Sequence, residues 1–286
     1  MANRDQRIAQ AKDHISRVKG IFETDIARAL EGIRIYEEGE ARAVELEEAR
    51  FENTTAHTAW TGIANALSFA EGKVCVVDPA HFTRPGGGYM NGAWDIESQL
   101  CAESNLLPIL EGMDKTFYAE NRHYGRGGLN SDRAVYIEDV VFTIKGKMKH
   151  CDVLVISPVN RKMALENNRS EAECDTDMRN RIISLMNIAA MNKADTLVLA
   201  DFGCGYMGND GKVVAGLFKE WLDEHPGQFE TVIFAIAGGP ALDDFRDVFP
   251  EKPKEDVVEQ PVKTEDDDED EEIDIEPVSE GRWVFE

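Results

Sequence analysis

Two carboxylates, Asp95 and Glu97, follow closely on three consecutive glycines, Gly86, Gly87 and Gly88. Consecutive glycines reach backbone angles closed to other residues and let a ligand approach the main chain. Their N–H groups can form an anion-binding concavity, and a helix start behind them adds partial positive charge. Phosphate-binding backbone beside carboxylates marks the place where chemistry is expected. At helix spacing Asp95 and Glu97 point about 200° apart, so only one of them would face a ligand. That angle does not apply if residue 95 still belongs to the loop. Ordinary helix-start charges, favoured by the macrodipole, would explain both acids as well. A glycine-rich turn with no ligand fits the same triplet.

A second glycine loop, Gly203-Cys204-Gly205-Tyr206-Met207-Gly208, matches G-x-G-x-x-G after a strand pattern. A dinucleotide enzyme is therefore a rival reading. That fingerprint wants a helix opening at its last glycine and an acid about 20 positions on. Here Asn209-Asp210-Gly211 continues the turn. Two loops at the ends of two strands would instead grip a diphosphate from both sides. Tyr89 would join the first wall, Tyr206 would cover an adenine or ribose by stacking, and Asp78 would meet the ligand at its strand end. There is no P-loop and no G-x-S-x-G elbow. The six histidines include no H-x-x-x-H pair, so neither a metal nor a cofactor is assigned. His81 and His123 lie in suspected site loops and read as surface or hydrogen-bonded histidines.

The elements that must position these residues alternate. Residues 5–48 read as helical and residues 54–70 as a second helical stretch. Val74–Val77 is a buried-type strand that runs into the first glycine loop, and Glu97–Leu110 a helix that runs out of it. Residues 113–133 read as a long functional loop. Ala134–Ile144 gives one strand or two, and Asp152–Ser157 a cleaner one. A helix over Met178–Met191, capped at Asp175 or Thr176, precedes a strand at Thr196–Ala200. A helix over Val213–Leu222, a strand over Thr231–Ala237 and a helix over Pro240–Val248 complete the pattern. Alternation of this kind argues for an α/β sheet with ligands at the carboxyl ends of its strands. The expected organisation is a helical extension over 1–70 packed on a core over 71–250, then an acidic disordered tail over 251–286.

The net charge of −24 disfavours non-specific binding to nucleic acid but not a small phosphate ligand held by backbone N–H groups. Residues 251–286 carry half of that charge, including eight consecutive acids at 265–272, and could meet a basic partner. The terminal Trp283-Val284-Phe285 reads as a solvated end or a docking peptide. No apolar run approaches the roughly 20 residues of a membrane span. The polar N-terminus does not resemble a secretory signal. Five scattered cysteines without a C-x-x-C read as reduced thiols, so a cytoplasmic setting is expected, with a host-directed effector left open.

The two loops together resemble the microbial-type poly(ADP-ribose) glycohydrolases. The similarity rests on a strand followed by Pro85-Gly86-Gly87-Gly88-Tyr89, then Asn91-Gly92-Ala93 and a helix containing Leu100-Cys101. It also rests on Phe202-Gly203-Cys204-Gly205-Tyr206-Met207-Gly208-Asn209-Asp210, and it spans roughly residues 15–248. The resemblance implies a macrodomain, a three-layer α/β/α sandwich whose cleft holds ADP-ribose. It implies a hydrolase acting on ADP-ribosylated protein or polymer, through an oxocarbenium-like state that a carboxylate assists. The family places Gln-Glu-Glu seven residues after the triplet, the second Glu being the catalytic acid. Here the corresponding residues are Ile96, Glu97 and Ser98. Arg84 and Asp78 both stand where the family usually has Asn. Either Glu97 or Asp95 carries relocated chemistry, or the chain is an ADP-ribose reader without turnover.

Overall fold

In the computed structural model, residues 2–252 are described, and the chain up to Lys252 forms one compact unit. Its elements are α1 (Arg4–Ile21), α2 (Glu23–Glu31), β1 (Arg34–Tyr36), β2 (Thr55–Ala59), α3 (Ile63–Leu67), β3 (Val74–Asp78), α4 (Ile96–Ala102), α5 (Leu106–Gly112) and α6 (Ala119–Asn121). They continue as β4 (Ala134–Ile144), β5 (Lys147–Ile156), α7 (Arg161–Glu166), α8 (Glu171–Met191), β6 (Thr196–Leu199), α9 (Gly211–Glu224), β7 (Thr231–Ala235) and α10 (Pro240–Val248). One sheet of seven strands has the order β1-β4-β5-β3-β6-β7-β2. Strands β5, β3, β6, β7 and β2 run parallel, and β4 and β1 add an antiparallel edge.

The sheet separates two cores by the period of two along each strand. Cys75, Val77, Leu154, Ile156, Leu197, Leu199, Val232 and Phe234 face the layer built by α8, α9 and α10. Val74, Val76, Val153, Val155, Val198, Ile233 and Ala235 face the layer that includes α1, α3, α4 and α5. Both faces are covered, so the central strands read as unbroken apolar runs rather than alternating ones. The sequence expectation of a three-layer α/β/α sandwich with leading helices matches this arrangement.

Several local expectations need correction. Residues 5–48 are not one helical stretch: α1 and α2 are followed by β1, which pairs with Ala134–Tyr136 of β4. Within 54–70 the first half is strand β2, in parallel register with β7 from Thr55 opposite Thr231 to Ala59 opposite Ala235. The unpaired edge of β7 supplies hydrogen bonds that no helical pattern reveals, and strand preference depends on such context. Residues 1–70 thus supply both outer strands, and the sheet does not begin at residue 71.

The expected helix over Glu97–Leu110 is two helices. Between them Ser104 Oγ donates to the Leu100 carbonyl at 2.6 Å, and Asn105 exchanges hydrogen bonds with the Val141 backbone at 3.0 Å each way. Asn105 so satisfies the edge of β4 beyond the reach of the short β1. Helix α8 starts at Glu171, seven residues before the expected Met178, because Ser170 and Glu173 form a capping box. The acidic tail beyond Lys252 lies outside the described residues.

Candidate functional site

Strand β3 ends at Asp78, which is fully buried, and the chain then crosses the carboxyl end of the sheet to α4. Asp95 is the N-cap of α4: its exposed carboxylate accepts the Ser98 N–H at 2.8 Å. The 200° separation therefore does not describe the two acids, since residue 95 has extended backbone outside the helix. Glu97, in the first turn, points inward and is 3% exposed. Its Oε2 accepts the His81 N–H at 2.8 Å, and the Gly86 amide also bears on the carboxyl.

The glycine triplet is shaped by what lies beneath it. Gly86 and Gly87 have φ of 65° and 51°, the left-handed region that disfavours side chains. A Cβ on Gly86 would strike Leu107, one on Gly87 would lie 2.5 Å from Glu97 Oε2, and one on Gly88 would lie 2.6 Å from the Ala93 Cβ. The missing side chains thus let the loop settle on α4 and α5, a different reason from the expected close approach of a ligand. Two loop amides are engaged internally, Gly87 with the Arg84 carbonyl and Tyr89 with the Gly86 carbonyl. The Tyr89 ring is buried under α1, with its hydroxyl 3.0 Å from His14 Nδ1. The tyrosine side chain fastens α1 to the loop instead of facing a cleft.

Beneath the loop several buried polar atoms have no partner: both oxygens of Asp78, Glu97 Oε1, Ser98 Oγ and Tyr118 Oη. Burial first, and then the charge of Asp95, pushes the Asp78 carboxyl far above the usual range. Burial first, and then the charge of Asp78, does the same to Glu97, against the opposing pull of the His81 N–H. Raised acids of this kind in a cleft mark functional sites.

Strand β6, the neighbour of β3, leads into the second loop, so the two glycine loops leave the same end of adjacent parallel strands. Phe202 is buried with φ 45°, and Gly203 at φ 88° would bring a Cβ to 2.9 Å from the Pro158 Cβ. The Asn209 side chain holds this turn by donating to the Val159 carbonyl at 2.8 Å and the Gly203 carbonyl at 3.0 Å. Among the described residues the Gly205, Tyr206 and Met207 amides donate to no protein acceptor, which leaves three successive N–H groups for a ligand. Tyr206 is 85% exposed, with Lys162 Nζ 5.7 Å from its ring centroid. Burial raises the half-buried Cys204 thiol, which disfavours a thiolate. Helix α9 opens at Gly211 behind the Asp210 cap, three residues after Gly208, so the turn lacks the helix start of a dinucleotide fingerprint.

A cavity of about 480 Å³ lies beside these loops; no glycine of the Gly86–Gly88 triplet lines it, and the second loop reaches it through Met207. His81 and Thr83 line it from the β3 side, Met207 from the second loop, Ser157 and Asn160 from the end of β5, and Arg122, His123 and Arg126 from the 113–133 segment. The structure thus joins the flank of the first loop, the second loop and the long loop around one space. Glu97 sits directly behind its wall, bonded to the amide of His81. Burial and Arg84 lower the His81 imidazole, which favours its neutral form.

Sequence reasoning missed Arg181 altogether. It is buried in α8 and donates to the carbonyls of Ser157 and Leu129, so one side chain fixes two walls of the cavity. Nothing local distinguishes it from the surface arginines of an amphipathic helix. Among the described residues no group of three or more His, Cys, Asp or Glu is placed to hold a metal ion. No described helix is long and apolar enough to cross a membrane.

Residues 6–144 match the sequence model of the microbial-type PARG catalytic domain. Poly(ADP-ribose) glycohydrolase from Thermomonospora curvata is 26% identical, with a TM-score of 0.76, covering 86% of this chain and 100% of that one. The same enzyme bound to the inhibitor ADP-HPD gives a TM-score of 0.74 at 26% identity and the same coverage. Poly(ADP-ribose) glycohydrolase from Deinococcus radiodurans in complex with ADP-ribose gives 0.70 at 24% identity, covering 78% and 96%, and supports the fold alone. No curated protein sequence matches the chain. The resemblance to the microbial-type glycohydrolases therefore holds in sequence over the first half of the chain and in fold over most of it, and the sandwich is macrodomain-like.

Proposed function

We propose that the chain is a hydrolase that releases ADP-ribose from ADP-ribosylated protein or polymer, with the Glu97 carboxyl as its acid. The observation that carries this reading is the raised, buried Glu97 carboxyl bonded to the amide of His81, which lines the cavity beside the loops. An acid meant to give up a proton near neutral pH must keep it until then, and burial beside a like charge achieves that. In the reaction, Glu97 protonates the leaving oxygen as the ribosyl C1–O bond breaks. Charge builds up on C1 and the ring oxygen. A water molecule then adds to C1, and its proton returns to Glu97, leaving free ADP-ribose and the released acceptor. The amides of Gly205, Tyr206 and Met207 hold the pyrophosphate on one side, with the Gly86–Gly88 loop opposite. Tyr206 offers an open ring face to a base or ribose. Asp95 serves as a cap, not as the proton donor.

One observation favours a second reading, an ADP-ribose reader. Ser98, at the position where the resemblance places the catalytic acid, has a buried hydroxyl and no carboxylate. Release of ADP-ribose from poly- and mono-ADP-ribosylated proteins separates the two. Glu97→Gln keeps an acceptor for the His81 N–H but cannot donate as an acid. It should lower release by about 10²–10⁴-fold, with ADP-ribose affinity within about threefold. Asp95→Asn retains a good N-cap and should release at close to the wild-type rate. Binding of ADP-ribose without release from any substrate would establish the reader.

A further inference from the structure

We infer that His81 binds the substrate directly, its imidazole held as the Nε2–H tautomer so that the ring donates a hydrogen bond to an oxygen of the ADP-ribosyl group in the cavity. That the occupant is an ADP-ribosyl group rests on the hydrolase reading; the state of the ring rests on contacts alone. Just after β3 the chain turns back on itself, and the Thr83 N–H donates to His81 Nδ1 at 3.3 Å. A ring nitrogen that accepts a hydrogen bond keeps its lone pair, so in the neutral imidazole the proton sits on the other nitrogen. Among the described residues Nε2 makes no hydrogen bond to protein. His81 is an exposed residue that lines the cavity, and its Nε2–H is the donor the ring has left to offer.

The surroundings set what this donor can meet. The chain carries a net charge of −24, yet among the described residues no aspartate or glutamate lines this cavity. Its polar lining includes His81, Thr83, Arg122, His123, Arg126 and Asn160. Arg126 is paired with Glu38 and Asp177 at 3.3 and 3.2 Å, whereas Arg122 joins no ion pair among the described residues. The space therefore offers N–H and O–H donors beside an unpaired positive charge, which suits a phosphate or ribose oxygen and not a cation. Burial, and then Arg84, lower the imidazole and favour its neutral form, so His81 donates without adding a charge of its own.

His81 also joins this donor to the acid. Its backbone N–H donates to Glu97 Oε2 at 2.8 Å. One residue thus has its amide on the buried carboxyl and its ring at the cavity, so a substrate held by the ring is held by the residue that contacts Glu97. No motif marks the position: sequence alone reads His81 as a surface or hydrogen-bonded histidine, and the Thr83 contact gives that hydrogen bond a direction.

The test uses the full chain with His81→Asn and His81→Gln. The side-chain oxygen of asparagine stands near the place of Nδ1 and can accept the Thr83 N–H, but nothing reaches the place of Nε2. The side-chain nitrogen of glutamine reaches the place of Nε2 and can donate there. Both variants keep the backbone N–H to Glu97. In calorimetric titration with ADP-ribose, His81→Asn should weaken binding about tenfold, the worth of one hydrogen bond, and His81→Gln should stay within about threefold of wild type. Both should melt within about 4 °C of wild type. Long-range proton–nitrogen NMR spectra of the wild type at neutral pH should give His81 the Nε2–H pattern, and ADP-ribose should move its Nε2 resonance more than its Nδ1 resonance. An Nδ1–H ring, an Nε2 resonance indifferent to ADP-ribose, or wild-type affinity in His81→Asn overturns the inference. Equal losses in the two variants overturn it as well, since they would assign His81 a structural role. A wild type that binds ADP-ribose with these signatures but releases none from any substrate sinks the hydrolase reading and leaves His81 as a binding residue.

Discussion

The contact between Gly87 and Glu97 makes Gly87→Ala the sharpest perturbation of the site. The added Cβ would lie 2.5 Å from Glu97 Oε2 and 3.5 Å from the His81 Cβ, where an ordinary contact begins at 3.4 Å. Glu97 must withdraw by about 1 Å, which stretches its 2.8 Å bond from the His81 N–H. Alanine at φ 51° costs about 1–2 kcal/mol more than glycine. Loosening this buried hydrogen bond adds about 1–3 kcal/mol. The sum, about 2–5 kcal/mol, corresponds to a fall in Tm of roughly 4–20 °C for a domain of this size. Misplacing the acid by about 1 Å should also lower ADP-ribose release by about 10²-fold. Calorimetric melting and a release assay on the same preparation read both effects. Gly216→Ala is the control, because nothing lies within 4 Å of that position in the interior of α9. It should gain about 0.5–1 kcal/mol. A Gly87→Ala protein that melts within about 1 °C of wild type and releases ADP-ribose at the same rate would refute the packing of the loop on Glu97.

Stability should fall as pH rises across the window that Asp78 defines, from its ordinary value of 3.8 to about 8. In that window the folded state keeps a proton that the unfolded chain has already lost, so the slope is negative, at most about 1.4 kcal/mol per unit. Urea melts at the two ends of the window should show Asp78→Asn gaining on the wild type towards high pH; a parallel pair of curves would count against a protonated Asp78. Tyr89→Phe removes the 3.0 Å contact with His14 and should cost about 1 kcal/mol of stability. Its affinity for ADP-ribose should stay within about twofold, and a tenfold loss in calorimetry would return the Tyr89 hydroxyl to the ligand.

The central strands were legible because each is an apolar run with both faces buried. Val74–Val77 and the runs at Thr196 and Thr231 each coincide with one parallel strand of the sheet. The two glycine loops were legible because left-handed φ at Gly86, Gly87 and Gly203 leaves a compositional mark. Their place at neighbouring strand ends followed from alternation of strand and helix. Edge strands β1 and β2 were not legible, since each is defined by a partner about 100 residues or more away in sequence, Ala134–Tyr136 and Thr231–Ala235. The break between α4 and α5 was hidden for the same reason, as Asn105 is fixed by the backbone of β4.

For the site, sequence alone determined which residue types were available: two acids after three glycines, an acid at the end of β3, and a serine beside Glu97. Only the tertiary structure decided their roles. Asp95 became a cap because α4 begins one residue later, while Glu97 turned inward. Asp78 and Glu97 were both sealed from water, one at the end of β3 and the other in the first turn of α4. Arg181 acquired its place because two carbonyls from distant loops converge on one buried guanidinium. Burial, which sets the proton affinity of a carboxyl, is a property of everything packed around it, and no local stretch of sequence contains that information.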